Sequence, residues 1–592
     1  MRIDEGHQFP RLVHPDVFND DTSLRLLVYR RLTESGLPAS SVRSAFSDLS
    51  SFSTRCTTTH RLTSSTLCGP HQEPHLRQYN AWGRRVDELV TGQGWKDLKR
   101  AAAEEGIVTT SYGPARQEWG SAARVLAFTR VLLFGPVSKL ALCPMSMTDG
   151  AARVLELVGT PSQQAEVLPR LVSNEAEKAW TAGQWMTERP GGSDVSRTET
   201  VARHVEGRTY ALDGFKWFSS ATDGDVALAL ARTNDVAGSR GLSLFLVRLR
   251  DSEDAHVPLN NGVRVHRLKH KLGSKYLPTA ELELRDCHAE LVGEVGQGVK
   301  TIASVLNITR LYSASGAVGG LLYGWRLSAH YATQRQVGDK MLSDLPLHTR
   351  SLFGIAVTQR ALQQLFYSVV SLLGKSECNI ASREEDTLLR LLTPTLKAFV
   401  STRGTEAVLG LVDSFGGQGY MEDSGLGVAE MLRDLTVERI WEGTAEVMSM
   451  DVVRVLSAVK GEALTVLLDD VERRVRGDVV VGELQEIVKR LKEHVATTRR
   501  ACEALASHGA KASHRYARPL LDVIALLYSS ALLVDHAGWS RKHAGDDEDV
   551  VVARAWVEEI GGIEAAMDAF RRALRDIEAE HNERAVVFGA KL

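Results

Sequence analysis

Two spacings of hydrophobic residues alternate along the chain and predict where helices give way to strands. From 80 to 185 apolar residues recur every three or four positions, as in WGRRVDELVTGQGWKDLKRAAAEEG, which is typical of amphipathic helices. A more apolar run, SAARVLAFTRVLLFGPVSKLALC, predicts a buried helix that Gly135 and Pro136 interrupt. Residues 1–75 are polar, so we expect an irregular arm with one short helix near 22–36, least regular in SFSTRCTTTHRLTSSTLCGPHQEP.

Short β-like runs separated by turn signals replace the helical spacing between 186 and 295. RTYALDGFKWFSS, DVALALART, GLSLFLVRL and AELELRDC predict strands of a small antiparallel sheet or barrel. Helical spacing returns from 296, where ASGAVGGLLYG concentrates small residues that let a second helix backbone approach closely. The chain is therefore predicted to be mainly α with a central β-barrel. Its expected parts are an N-terminal arm (1–75), a helical domain (76–185), the β-barrel (186–295), a helical bundle (296–456) and a helical extension (457–592).

Composition narrows the class of protein only a little. The 592 residues are 43% hydrophobic and 24% charged with a net charge of -3, which fits a globular protein without a general preference for nucleic acid or anionic membranes. Six cysteines occur without a C-x-x-C pair, which argues against a disulfide framework or a structural zinc site. LLDVIALLYSSALLV (520–534) is too short and too serine-rich to span a bilayer, so it predicts a buried helix.

The two ends of the chain are the places where signals that direct a protein to a compartment of the cell are expected. The N-terminus lacks the apolar stretch of a secretory signal and carries too many acids for a mitochondrial presequence. The last three residues, Ala590-Lys591-Leu592, have the small–basic–leucine pattern of a peroxisomal address. We therefore expect a peroxisomal protein if the source is eukaryotic, and a cytoplasmic one otherwise.

Two stretches near the start of the β region have side chains suited to a flat ligand. In QWMTERPGGSDVSRTE (184–199) two glycines leave the backbone amides accessible, and Thr187 and Ser193 offer hydroxyls. An ordinary turn explains P-G-G-S-D equally well, since these residues favour turns in any protein. In GFKWFSSATDGD (214–225) Trp217 and Phe218 could flank an aromatic ring while Ser219 or Ser220 bonds its polar edge. A tryptophan packed in the core of a strand is the commoner explanation of this second stretch.

Two arginines are candidate clamps for phosphate or for coenzyme A. Arg335 follows a predicted helix end in HYATQRQVG, and Arg310 precedes the small-residue helix in LNITRLYSASGAVGG. Each is equally explained as a solvated charge, since cations are favoured near helix C-termini.

The stretch ERIWEGTAEVM (438–448) contains the most suggestive carboxylate of the chain, Glu442. Gly443 with Glu446 three residues later predicts a helix start, and such an N-terminus attracts phosphate. Beside Trp441 the carboxylate is expected to be partly desolvated, which raises its pKa and makes it a useful base near neutral pH.

Taken together and in order, MTERPGGSD, KWFSS, QRQVG…LPL, FGGQGY and WEGT resemble the landmarks of the flavin-dependent acyl-CoA dehydrogenases. YNAWGRRVDEL, LCPMSMT, RLKHKLGSK and RIWEGTAEVMSMDVVRVL are similar to the AidB-like branch of that family. The specific motifs cover roughly 75–456. After residue 456 the chain resembles the family only in its length and its helical pattern.

The resemblance implies FAD bound between subunits of a homodimer or homotetramer, with an acyl-CoA as substrate. By the family pattern Glu442 takes the α-proton, flavin N5 takes hydride from the β-carbon, and the product is a trans-2-enoyl-CoA. The implied substrate contacts are Ser193, Arg310 and Gly443. The implied cofactor contacts are Met186, Thr187, Ser193, Trp217, Phe218, Ser219, Arg335, Gly417, Trp441, Thr444 and Glu446.

This chain departs from the family pattern at a few positions. Three and four residues after Arg335, where the family usually has Phe-Gly, stand Gly338 and Asp339, and the flavin-bonding threonine is Ser219. The AidB prototype is linked to DNA through a basic C-terminal face. Residues 461–592 contain 19 Lys and Arg but 23 Asp and Glu, so we do not expect DNA as a partner.

Three functions follow from the resemblance, in this order of preference. The first is an FAD-dependent acyl-CoA dehydrogenase that passes electrons to an acceptor such as an electron-transfer flavoprotein. The second is an acyl-CoA oxidase that uses O₂, which the peroxisome-like C-terminus favours. The third is a binding protein that keeps the fold but sequesters acyl-CoA or touches DNA. No metal site is expected.

Overall fold

The computed structural model describes residues 12–250, 259–458, 462–476, 482–505, 513–545, 547–575, 583–584 and 586–587. Helices come first, a sheet follows, and two further groups of helices complete the chain, in the predicted order. Helices α1–α10 are Val17–Asp20, Thr22–Glu34, Ala39–Arg55, Arg61–Leu67, Gln93–Glu104, Gly113–Trp119, Ala122–Phe134, Leu142–Val158, Pro161–Glu166 and Leu168–Leu171.

The prediction of an irregular arm is wrong, because most of 17–67 is helical. The predicted helix near 22–36 is confirmed as α2, but α3, one π-helical turn and α4 also form a nearly continuous helix over 39–67. Every fourth residue of its second half faces inward, at Phe52, Cys56, His60 and Ser64. Its threonines bond the carbonyl four residues back, which satisfies hydroxyls that would otherwise favour turns.

The helical prediction at 82–90 is also wrong. Strands β1 (His75–Tyr79) and β2 (Arg85–Val90) form an antiparallel hairpin, and only from Gln93 does the helix α5 begin. The side chain of Asn80 accepts hydrogen bonds from two amides of the turn, and buried Asp87 accepts one from the amide of Val265 in the main sheet. Pairing with the sheet therefore overrides the local helical spacing.

The four strand predictions between 186 and 295 are confirmed within one seven-stranded sheet. Its strands β3–β9 are Ala182–Trp185, Val201–Glu206, Thr209–Ser220, Val226–Arg232, Leu242–Arg248, Val263–Leu268 and Thr279–Val292. The strand order is β3-β6-β4-β5-β9-β7, with β8 on β9 and a further pairing of β6 with β7. Most pairs are antiparallel, whereas β3 and β4 run parallel to β6. Closure of this sheet into a barrel stays a prediction.

A bundle of long helices follows the sheet, interrupted by the short hairpin of β10 (Gln336–Val337) and β11 (Lys340–Met341). Helices α11–α16 are Gly298–Ala332, Pro346–Glu377, Arg383–Phe415, Gly417–Tyr420, Val428–Leu435 and Ala445–Ala458. The close approach predicted for 314–324 is confirmed on α11: a Cβ on Gly319 would lie 2.7 Å from the carbonyl oxygen of Leu132 in α7. Behind this contact Arg124, only 1% exposed, forms ion pairs with Asp149 of α8 and Glu377 of α12.

The C-terminal extension packs on the bundle rather than projecting from it. Its helices α17–α21 are Glu462–Arg474, Gln485–Leu505, Ser513–Ala544, Glu548–Ala555 and Ile563–Arg575. Arg30 of α2 forms an ion pair with Asp535 of α19, and Arg403 of α13 donates to the carbonyl oxygen of Gly561. Among the described residues one helix, His514–Ala544, is long and apolar enough to cross a membrane, and 83% of its apolar window is buried inside the protein.

Candidate active site

Glu442 lies on a tight turn between a 3₁₀ turn (Thr436–Arg439) and α16. Its φ of 58° is in the left-handed region, which costs a side chain about 1–2 kcal/mol. Gly443 follows with a φ of 100°, and a Cβ there would lie 2.5 Å from the Cε of Met448. The predicted helix start is confirmed, since α16 begins at Ala445. The strained turn points the carboxyl group toward α11 instead of along α16.

One hydroxyl binds the carboxyl group of Glu442, and two cations act on it through space. Thr309 of α11 donates to Oε2 at 2.7 Å, while the residue as a whole is only partly exposed. Burial raises the pKa of Glu442, although the Thr309 hydrogen bond and the charges of Arg310 and Lys397 act in the opposite direction. The predicted desolvation of the carboxyl group is therefore supported, and its role as the base stays a prediction.

Glu438 is a second buried carboxyl group beside the base that sequence reasoning missed. It is 2% exposed, and its Oε2 accepts from the indole Nε1 of Trp441 at 2.6 Å. Its other oxygen lies against Gly316 of α11, where a Cβ would be 2.4 Å away. Burial raises the pKa of Glu438 to about 8. Trp441 is thereby fixed at the edge of the site, and its predicted contact with the cofactor stays a prediction.

Cys143, at the start of α8, is a buried thiol that responds to charges from both the bundle and the sheet. Burial raises the pKa of its thiol, which also feels the charges of Lys271, Glu438 and Glu442. The ammonium of Lys271 donates to Thr279 of β9 at 3.2 Å, and Thr279 bonds Ser220 at the end of β5. The charges of Glu442 and of Lys271, which is bonded to the end of the sheet, therefore both act on Cys143.

The end of β5 fits the expected FAD because it presents an unused polar atom. Ser219 is fully buried, and its Oγ has no hydrogen-bond partner among the described residues. Gln184 of β3 likewise has a buried Oε1 without a partner there, two residues before buried Met186. A buried hydroxyl left unbonded is costly, so a ligand with hydrogen-bonding atoms is favoured at this place.

Replacing Ser219 with alanine is therefore expected to weaken FAD binding about 3- to 10-fold, the effect of one ordinary hydrogen bond. Fluorescence titration of FAD into apo-protein measures this directly, with exposed Ser239→Ala as the control. Unchanged affinity in Ser219→Ala would show that this hydroxyl does not contact the cofactor.

The aromatic pair before Ser219 is arranged around a lysine. The ammonium of Lys269 lies 3.2 Å from the ring centroid of Trp217 and 4.8 Å from that of Phe218, and it pairs with Glu281. Phe218 is 53% exposed, so only Trp217 has the partial burial expected beside a bound ring. Both contacts with the cofactor stay predictions.

The loop after β3 is fixed by a buried ion pair that sequence reasoning also missed. Glu188, 3% exposed, accepts from the ammonium of Lys216 at 2.6 Å, and from the hydroxyl of Thr200 at 2.6 Å. Beside the pair, the amide of Trp217 donates to the carbonyl oxygen of Thr187. The pair thus holds together the two stretches that are predicted to bind the cofactor, whereas Ser193 lies further along, exposed to solvent.

Arg335 and Gly417 lie far from the base within one chain. Tyr331, at the end of α11, packs at a tilted angle against Phe415, with 5.1 Å between the ring centroids, which brings Arg335 and the exposed turn at Gly417 to the same end of the bundle. From Thr309 to that end α11 spans about 35 Å at 1.5 Å per residue. Gly338 and Asp339, the positions that depart from the family pattern, form the exposed tip of the β10–β11 hairpin there.

The remaining predicted contacts surround the start of α16. Arg310 donates to Asp451 at 3.0 Å, while its buried Nε has no partner among the described residues. Glu446 is exposed, and its own amide and the Thr444 hydroxyl lower its pKa. Its carboxylate therefore already occupies the positive end of the helix, so phosphate binding at Thr444 and Glu446 stays a prediction. No group of three metal-ligating side chains occurs in the part of the chain that the structure describes.

The order of helices, sheet and helical bundle is that of the acyl-CoA dehydrogenase class, and comparison with known proteins shows the same family. Family models match in four segments: the AidB N-terminal domain (7–178), the acyl-CoA dehydrogenase middle domain (183–287) and C-terminal domain (296–457), and the acyl-CoA dehydrogenase 11 C-terminal-like domain (462–588). The chain belongs to the acyl-CoA dehydrogenase family.

Two relatives refine the placement within the family. Acyl-CoA dehydrogenase family member 11 of Caenorhabditis elegans is 39% identical over 92% of this chain and 87% of its own length. Putative acyl-CoA dehydrogenase AidB of Escherichia coli is 31% identical over 66% of this chain and 70% of its own. The predicted likeness to the AidB branch is confirmed.

Solved structures extend the likeness to the whole chain. The Caenorhabditis elegans ACDH-11 structure in complex with C11-CoA superimposes with a TM-score of 0.86 at 36% identity, covering 98% of this chain and 97% of that one. The Bd2924 apo-form gives 0.80 at 37% identity, covering 90% and 100%. The C-terminal extension is thus part of the shared architecture.

Proposed function

We propose that this protein is an FAD-dependent acyl-CoA dehydrogenase that converts an acyl-CoA thioester to its trans-2-enoyl-CoA. The cofactor of the protein is FAD. The observation that carries the proposal is the Glu442 carboxyl group, desolvated on a left-handed turn and one hydrogen bond from Thr309. A carboxylate with a raised pKa is suited to accept a weakly acidic carbon-bound proton near neutral pH.

The chain's own residues account for the proton transfer and the exclusion of water. Glu442 takes the α-proton onto its carboxylate, and Thr309 keeps that carboxylate aimed by binding Oε2. Bound FAD supplies the acceptor for the hydride that leaves the β-carbon. Trp441, fixed by its hydrogen bond to Glu438, adds apolar surface beside Glu442, which limits the access of water.

Acyl-CoA as the substrate class is supported by the ACDH-11 complex with C11-CoA. The test is anaerobic bleaching of the purified flavoprotein by saturated acyl-CoAs of graded length, with the series centred near eleven carbons. We expect bleaching, with enoyl-CoA in equal amount to reduced flavin. If no member of the series bleaches the flavin, the dehydrogenase proposal fails.

The same reaction under air separates the two possible electron acceptors. Hydrogen peroxide formed in step with enoyl-CoA would make the protein an oxidase, while its absence favours a protein acceptor such as an electron-transfer flavoprotein. Ala590-Lys591-Leu592, on which the peroxisomal prediction depends, lies outside the described residues.

A homo-oligomer is also proposed, because Arg335 and Gly417 are too distant to bind the same cofactor as Glu442. In a dimer or tetramer they would hold the cofactor of a second subunit. Exposed apolar side chains support a contact at that end of the bundle: Val337 is 49% exposed, Leu347 85% and Tyr420 83%.

A further inference from the structure

Lys397 is a buried cation below the turn that carries Glu442, and none of the functional motifs includes it. It lies in the middle of α13 with no exposed surface. Its ammonium donates to the carbonyl oxygen of Gly443 at 2.5 Å. Glu438 and Glu442 act on it through space rather than by direct hydrogen bonds. A lysine is rarely buried without an ion pair, because loss of hydration penalises the charge.

We propose that Lys397 is a positioning residue for the base: its ammonium clamps the Glu442–Gly443 turn and holds the Glu442 carboxyl group in its ionised form. This inference rests on the proposed function, since it assigns Lys397 to the base of that reaction. The clamp follows from the hydrogen bond to Gly443, whose φ of 100° no other residue type adopts easily. The charge effect follows because an opposite charge near a carboxyl group favours its ionised form.

The charged groups around Glu442 come from several elements, so the effect of Lys397 must be separated from theirs. Arg310 of α11 adds a second cation, and it shares its partner Asp451 with Arg390 of α13. Glu438 lies in the preceding 3₁₀ turn, Cys143 at the start of α8, and Glu446 acts on Lys397 from α16. Burial lowers the pKa of Lys397 to about 8, so its charge is present at neutral pH.

Three variants separate the clamp from the charge. Lys397→Met removes both the donor and the charge, Lys397→Gln keeps an N–H donor without the charge, and Lys397→Arg keeps the charge. Lys375→Met is the matched control, since Lys375 lies on α12, is 38% exposed and pairs with Glu385 away from the site.

The first measurement is the pKa of Glu442 itself, from the infrared band of its protonated carboxyl group, identified by its loss in Glu442→Gln. We expect Lys397→Met and Lys397→Gln to raise that pKa by about one unit or more, while Lys397→Arg and Lys375→Met leave it in place. Because this reading needs no turnover, it stands even if no acyl-CoA bleaches the flavin. Failure of the proposed function is thereby distinguishable from failure of this inference.

The second measurement is the pH profile of flavin bleaching by an accepted acyl-CoA. Without the cation Glu442 ionises only at higher pH, so the rising limb of the pH profile should move to higher pH. The flavin should be reduced slowly at neutral pH, and the rate of reduction should recover in alkali. Recovery should be fuller in Lys397→Gln than in Lys397→Met, because the glutamine retains an N–H donor on the side of Gly443, one atom shorter than the lysine. The unmodified protein should show a second transition near pH 8 as Lys397 loses its proton, which Lys397→Arg lacks.

The proposal is overturned if folded Lys397→Gln keeps both the original pKa of Glu442 and the original rising limb of the pH profile. Lys397 would then be a structural residue. If neither neutral variant folds, the unmodified protein is compared with Lys397→Arg, and pH profiles that coincide up to alkaline pH, where the lysine but not the arginine loses its proton, overturn the proposal instead.

Discussion

Replacing Glu442 with glutamine is expected to slow bleaching of the flavin by acyl-CoA about 10²- to 10⁴-fold, the range for loss of a positioned base. Glutamine matches the shape of glutamate and can still accept from Thr309, so the left-handed turn and the protein fold should persist. The variant should therefore purify yellow, with unchanged flavin content. Stopped-flow spectroscopy under anaerobic conditions measures the rate of bleaching.

The control for this experiment is Glu406→Gln, which removes a 49% exposed carboxylate from α13 in the same bundle. Its rate should match that of the unmodified protein. A Glu442→Gln variant that keeps more than one-tenth of the original rate would assign the base to another residue.

Replacing Lys216 with methionine is expected to lower the free energy of unfolding by about 3–5 kcal/mol, the cost of leaving a buried carboxylate without its partner. Lys216 has no exposed side-chain surface and Glu188 only 2%, so water cannot replace the lost ammonium. The loop after β3 and the strand before Trp217 should separate as a result. Urea unfolding, followed by circular dichroism, gives the free energy.

A double-mutant cycle tests whether the loss comes from the unpaired charge. Lys216→Met combined with Glu188→Gln should recover part of the stability, because the remaining amide is neutral. Arg203→Gln is the matched control on the same sheet, since Arg203 and Asp286 form a pair in which both side chains are 64% exposed. We expect Arg203→Gln to lower the free energy of unfolding by less than about 1 kcal/mol. An equal loss of stability from breaking either pair would contradict the argument.

Hydrophobic spacing was enough to predict most of the helices and four of the seven strands of the main sheet, because those elements bury one face in a regular pattern. It failed in two places where a tertiary partner decides the structure. The Ser- and Thr-rich helix over 39–67 has too little apolar surface to be recognised before its packing is known. The hairpin at 75–90 owes its conformation to the edge of the sheet, which Asp87 contacts through Val265.

The site was predictable only where its motif is local. Glu442 and the start of α16 lie within a few consecutive residues, so ERIWEGTAEVM was sufficient to indicate them. Lys397 and Lys216 are single lysines in apolar stretches, and their partners lie 46 and 28 residues away in sequence. A buried lysine within such a stretch is itself the signal that was overlooked, since it demands a partner.

The packing of the C-terminal extension has a genetic consequence. Helix α19 covers the bundle that carries Glu442 and Lys397, and Asp535 and Gly561 bind Arg30 and Arg403 from the body of the protein. A premature stop codon after 461 would therefore strip apolar surface bare and leave those two arginines unpaired at these contacts. Such an allele would behave as a null rather than as a shortened, working enzyme.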